Sequence, residues 1–173
     1  DLKNTLITKK QIKDAYNKVN LKDIQILKKA ASNIKFFAKE QFKTFKHFEI
    51  KKNGVILGQK IIPIEKVGCY VPGGRYPLPS SALMNIIPAK VAGAKEIIIC
   101  SPKIHPLTIV AADIAGADKI FNIGGIQAIG AMAFGTKTVP KVNTIVGPGN
   151  KFVAAAKKEV YGSVGIDFIA GPS

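Results

Sequence analysis

Three polar residues stand beside three glycine-rich turns. Tyr70 precedes Val71-Pro72-Gly73-Gly74, Gln127 follows Gly124-Gly125-Ile126, and Asn150 closes Gly147-Pro148-Gly149. Glycine permits positive φ and lets a backbone come close to a ligand. A turn that opens a helix adds free N–H groups and a partial positive charge, which suits a phosphate. A Tyr ring can stack on a flat ligand, and the two amides can hydrogen-bond a ribose or a nicotinamide. Together these residues point to a site for a nucleotide or a phosphate group. Each also has a plainer reading: tight βα turns, a Tyr at a buried edge, and two amides that satisfy helix ends. No turn matches G-x-G-x-x-G, so the dinucleotide fingerprint itself is absent.

Other reactive residues offer less. His47 and His105 have no partner at ligand spacing, and Cys100 ends an apolar run. A Cys in that setting is a small buried hydrophobe. No Ser-His-Asp arrangement, H-E-x-x-H or C-x-x-C occurs. Two cysteines, Cys69 and Cys100, make neither a disulfide scaffold nor a zinc cluster, and a reducing, cytoplasmic compartment is expected.

The elements that must position the turns fall into two parts that meet near residue 66. Thr8-Lys9-Lys10-Gln11 fits a capping box ahead of a helix over about 9–19. Asn20 caps a second, over about 21–44, whose Ile24, Leu27, Ala31, Ile34, Ala38 and Phe42 form one stripe. Extended runs at 48–52 and 55–63 flank Asn53-Gly54, a strong hairpin signal. After Lys66, apolar strands alternate with Ala-rich helices. Strands are expected at 67–71, 96–100, 119–123, 144–147 and 165–169. Helices are expected at 81–92 (capped by Ser80), 106–115, 127–134 and 150–160. Continuous apolar strands imply a parallel sheet buried on both faces. The fold class is therefore α/β: a Rossmann-like parallel sheet over 70–172, preceded by a helical and hairpin part over 1–69 of an incomplete first domain. Ligands of such sheets sit at the carboxyl ends of the strands.

The net charge of +15 lies mostly in the first part: residues 1–60 carry a net +10 and residues 61–173 a net +5. Nearly all of it is Lys; Arg75 is the sole arginine. Nucleic-acid readers favour Arg for bidentate contacts, whereas lysines on the polar faces of amphipathic helices are solvated, so no nucleic-acid partner is expected. No run reaches the ~18 apolar residues of a membrane span, and the polar start, DLKNTLITKK, is unlike a signal peptide. The first residue is Asp, so a start further upstream is expected.

Four strings resemble the histidinol dehydrogenase family: VGCYVPGG (67–74), FNIGGIQAI (121–129), VPKVNTIVGPGNKFV (139–153) and IDFIAGPS (166–173). Their order and spacing fit as well. The resemblance is close from about residue 60 onward and looser over the two N-terminal helices. It implies NAD-dependent, zinc-dependent oxidation of L-histidinol to L-histidine through the aldehyde, in a cytoplasmic homodimer. Relatives in the superfamily oxidise other amino- or sulfo-alcohols. Carried over by motif, the cofactor-contacting residues are Tyr70, Gln127 and Asn150, beside Gly73, Gly74, Gly147 and Gly149, and a substrate-contacting serine falls on Ser173. The family's zinc ligands and its catalytic Glu-His pair have no counterpart in these residues. No catalytic or metal-ligating residue is therefore assigned in this chain. The resemblance implies an enzyme of which this chain is a fragment, inactive alone and exposing apolar surface. The alternatives are a related amino- or sulfo-alcohol dehydrogenase and a nucleotide-binding module without catalysis.

Overall fold

Local signals start the first two helices. In the computed structural model, which describes residues 5–74 and 76–169, the Gln11 N–H donates to Thr8 Oγ1 at 3.3 Å and the Thr8 N–H to Gln11 Oε1 at 2.8 Å. This reciprocal box opens α1 (Lys9–Lys18). Asn20 Oδ1 accepts from the Lys22 N–H and opens α2 (Leu21–Phe42). Next come β1 (Phe48–Lys52) and β2 (Val55–Gln59), paired antiparallel from Phe48 opposite Gln59 to Lys52 opposite Val55. Asn53 and Gly54 both have positive φ, 51° and 78°, the twist that a two-residue hairpin needs. Pairing stops at Gln59, so the extended run to Pro63 is only half strand.

The parallel sheet begins with β3 (Lys66–Tyr70). It continues through α3 (Pro79–Val91), β4 (Glu96–Cys100), α4 (Pro106–Ala115), β5 (Lys119–Phe121), α5 (Gly125–Phe134), β6 (Thr144–Val146), α6 (Lys151–Val160) and β7 (Gly165–Ile166). The strand order is β5-β4-β3-β6-β7, with every neighbour parallel. Numbered within the sheet this reads 3-2-1-4-5, the order of mononucleotide-binding α/β sheets, and the direction of winding reverses between β3 and β6. Helix α3 starts two residues before the expected Ser81, and Ser80 is not its cap. Leu78 occupies that position without a side-chain bond, and Pro79 supplies a ready-made helical φ at the first turn.

Alternation along the strands divides the core into two. Val67, Cys69, Ile97, Ile99 and Ile120 pack with α3 and α4, and α1 and α2 lie over those helices on the same side. Tyr70, Ile98, Cys100, Phe121 and Ile145 pack with α5 and α6. Fully burying a side chain of Ile size stabilises by roughly 1.5–3 kcal/mol. The three successive isoleucines of β4, each 0 % exposed, therefore anchor both layers at once. The outer strand β5 is not left as an open edge. The Ile7 N–H donates to the Ile120 carbonyl at 2.8 Å and the Asn122 N–H to the Thr5 carbonyl at 2.7 Å, so residues 5–7 run antiparallel beside it. Among the described residues no helix is long and apolar enough to cross a membrane.

Candidate functional site

The loops after β3, β4, β5 and β6 meet at the carboxyl edge of the sheet. Their closeness depends on missing side chains. A Cβ on Gly147, whose φ is +112°, would collide with the Tyr70 carbonyl. That contact joins the two loops where the winding reverses. A Cβ on Gly73 would come within 2.5 Å of the Pro102 carbonyl, and one on Gly124 would strike the Pro102 ring. The loop after β4 is thus held between the loops after β3 and β5.

Tyr70 sits at the centre of this edge. Its ring is 3 % exposed and packs in the α5/α6 core, so it has no free face to stack on a ligand as the sequence suggested. What it turns to the loops is its hydroxyl, which accepts the Gly125 N–H at 3.1 Å. Burial raises the phenol's pKa and keeps it protonated, against the smaller opposing effect of that N–H. Helix α5 begins two residues before the expected Gln127, and no side chain caps it. With Gly125 N–H bonded to Tyr70, the next N–H groups, of Ile126 and Gln127, have no intrahelical acceptor. Gln127 is exposed, and its Oε1 folds back over Gly125.

Asn150 fulfils its plainer reading. Its Oδ1 accepts the Phe152 and Val153 N–H groups, each at 3.1 Å, and caps α6. Its amide NH₂ remains for a ligand, since the residue is exposed. Gly73 and Gly74 line a cavity of about 360 Å³ beside the start of α4, with Gly147 and Gly149 in the loop that leads to Asn150. The structure therefore brings Tyr70, Gln127, Asn150 and their glycines to one edge. Ser173 lies outside the described residues.

Sequence reasoning missed the pair that holds this edge. Lys157, 3 % exposed, is on α6, where lysines were expected to be solvated. Its ammonium donates to the Gly147 and Phe168 carbonyls, each at 3.1 Å, and to Asp167 Oδ1. Asp167 Oδ2 accepts the Gly147 N–H at 2.8 Å. All three ammonium donors are thus matched, and Gly147 is gripped through both its N–H and its carbonyl. A signal existed: Val153, Lys157 and Val160 share one helical stripe, with a Lys in an apolar row.

Cys69 and Cys100 are fully buried free thiols; burial raises both pKa values, that of Cys100 to about 12, so neither forms a thiolate at neutral pH. His105 caps α4, its Nδ1 accepting the Leu107 N–H at 3.1 Å. Among the described residues no group of three His, Cys, Asp or Glu side chains could hold a metal ion.

Residues 1–173 match the sequence family described as histidinol dehydrogenase. The chain is 52 % identical to histidinol dehydrogenase of Methanocaldococcus jannaschii over 178 aligned positions, covering all of this chain and 42 % of that protein. It is 55 % identical to the histidinol dehydrogenase of Methanococcus maripaludis, again over all of this chain and 42 % of the relative. The crystal structure of histidinol dehydrogenase from Elizabethkingia anophelis superposes with a TM-score of 0.92 at 41 % identity, over 99 % of this chain and 41 % of that one. The chain thus spans about two fifths of the length of the relatives it matches.

Proposed function

The chain belongs to the histidinol dehydrogenase family, and on that premise we propose that it serves the NAD-dependent oxidation of L-histidinol to L-histidine as the part that holds the nucleotide. The observation that carries this reading is the uncapped start of α5 beside the Tyr70 hydroxyl, at the carboxyl edge of a 3-2-1-4-5 sheet. Free N–H groups at a helix start favour a phosphate, and the switch point of such a sheet is where dinucleotides lie. Ile126 and Gln127 would offer their N–H groups, and Asn150 its amide NH₂. Bound NAD⁺ would supply the hydride acceptor. Tyr70 would set the position of the α5 start through Gly125, and the Lys157–Asp167 pair would fix the loop that carries Asn150. Ser173 would contact substrate.

The described residues do not fit zinc, since no three His, Cys, Asp or Glu side chains among them could hold a metal ion. Zinc ligands and the acid–base pair would come from sequence other than these residues. A homodimer in the cytoplasm, and inactivity of residues 1–173 alone, complete the proposal.

Titration of this chain with NAD⁺ tests it. Asn150→Asp keeps a capping oxygen and removes the amide donor, so it should leave thermal stability near wild type and weaken NAD⁺ binding about tenfold. Asn150→Ala should lower both, with a stability loss of about 1 kcal/mol. Equal NAD⁺ affinity in wild type, Asn150→Asp and Gln127→Ala would sink the proposed site. NADH formation from L-histidinol by the natural gene product tests the reaction itself.

A further inference from the structure

We propose that the groove between α2 and the last turns of α3 and α4 docks an acidic amphipathic helix of a partner protein. The groove has a volume of about 800 Å³. Five lysines line it, and among the described residues no carboxylate does. Lys43 and Lys90 are each paired, with Glu40 at 2.7 Å and Asp118 at 3.1 Å. Lys28, Lys35 and Lys39 are exposed and form no ion pair or hydrogen bond with any described residue. They step by seven and four residues along α2, so they share one side and stand about 10 Å and 6 Å apart along the axis. Lys35 and Lys39 are one turn apart, where like charges repel and weaken a helix. No described carboxylate pairs with either, which leaves the row matched to negative charge from outside the chain.

Beneath the row the floor is aliphatic. Ile87 and Val91 of α3 and Ile114 of α4 line it, Ile87 buried and the other two half-buried. A cationic rim over an apolar floor suits a helix whose apolar stripe enters the groove and whose carboxylates flank that stripe. Lysine, a flexible point charge, matches separate carboxylates. Nucleic-acid contacts favour the Arg fork, and no arginine lines the groove. A second copy of the chain is not the occupant: with 26 basic residues to 11 acidic, it would bring like charge to the row. Helices α3 and α4 each run back from the carboxyl edge between parallel strands, so their last turns lie at the amino end of the sheet. The groove is therefore remote from the nucleotide edge and does not rest on that reading.

The test is fluorescence-anisotropy titration of the full chain against three labelled peptides of about 15 residues, long enough to run from Lys28 to Lys43. One carries Leu on one helical face with Glu on both flanks. The second has the same composition in scrambled order, and the third has Gln for every Glu. The first should bind saturably at physiological salt, and the other two at least about tenfold more weakly. Lys28→Gln, Lys35→Gln and Lys39→Gln together should weaken binding about tenfold, since each exposed pair alone is weak. The same three charges removed from Lys51, Lys52 and Lys60, on and beside the hairpin, should change it less than about twofold, because salt screens distant charges. Melting curves establish that both triple variants fold, and the Gln peptide tests the charge on unaltered protein. Absence of saturable binding, equal loss in the two triple variants, or equal affinity for the scrambled peptide overturns the proposal. So does tighter binding of a single-stranded DNA oligonucleotide that the groove variant abolishes, which would assign the row to nucleic acid.

Discussion

The carboxyl edge of the sheet and the β1–β2 hairpin are built from equally regular sequence and end in opposite states. At the edge, four loops interlock through close backbone approaches, and a buried Lys157–Asp167 pair grips Gly147 from both sides. In the hairpin, all ten strand residues are exposed, Ile50, Val55, Ile56 and Leu57 among them, each more than half open to solvent. The hairpin keeps its shape by its turn and ladder; the edge keeps its shape by tertiary contacts. Position at the edge is therefore expensive to disturb, whereas the hairpin's apolar side chains contribute little until something covers them.

The strongest way to break this contrast is Lys157→Met. Removing one member of a buried ion pair leaves the other uncompensated and costs about 3–5 kcal/mol. Asp167 keeps some solvent contact, its side chain being 21 % exposed, which puts the expected loss at the lower end. Urea unfolding monitored by circular dichroism measures it. Lys157→Met with Asp167→Leu should recover much of the stability, since an apolar pair of similar volume replaces a buried ion pair at little cost. A single variant as stable as wild type would mean that the pair does not hold the edge.

Gly147→Ala comes next. Any side chain there meets a φ of +112° and a collision with the Tyr70 carbonyl together. Backbone strain of this kind costs about 1–3 kcal/mol, and the clash forces the two loops apart. The same urea experiment should show the loss, with NAD⁺ affinity falling in parallel. Retained affinity with reduced stability would separate the loop from the proposed site.

A smaller effect is expected at the opposite end of the strands. Glu96 accepts from Lys119 at 2.8 Å and lies 3.4 Å from Lys66, tying β5, β4 and β3 together. Its carboxyl is held below the ordinary glutamate value, first by the hydrogen bond from Lys119. A lowered folded-state pKa gives stability that is present above the unfolded value and lost as pH falls through the folded one. Glu96→Gln should therefore lower stability by at most about 1 kcal/mol at neutral pH, the side chain being partly exposed. The gap to wild type should close as the carboxyl protonates below about pH 4.3. A gap unchanged between pH 7 and pH 3 would rule out this carboxylate as its source.

What was legible in the sequence is what is decided locally. Thr8 with Gln11, Asn20, and Asn53-Gly54 each state their structure within four residues, and the EIIIC run declares a strand buried on both faces. The Gly-rich turns fall at strand ends, as expected, because helix starts and strand ends carry their own composition. The pairing of residues 5–7 with 120–122 was not legible, since nothing in Thr5-Leu6-Ile7 names a partner more than a hundred residues away. Nor was the burial of Lys157, whose acceptors at Gly147, Asp167 and Phe168 converge only once β6, α6 and β7 are packed. Tyr70 lies at this edge with its ring turned inward. Ending a strand at the site edge does not say which side of the sheet the ring enters, and here it enters the core.

The hairpin offers the smallest effect and the sharpest complement to Lys157. Ile56 is 59 % exposed and lies in the ladder opposite Lys51. Thr keeps a β-branched side chain that suits a strand, so Ile56→Thr removes apolar surface without altering backbone preference. Because that surface is already largely in water, stability of this chain should change by no more than about 0.5 kcal/mol. A loss well above that would show that the hairpin's apolar side chains are covered in solution, by another copy of the chain or by its own surface. Dependence of that loss on protein concentration would tell the two apart, since only association between copies responds to concentration.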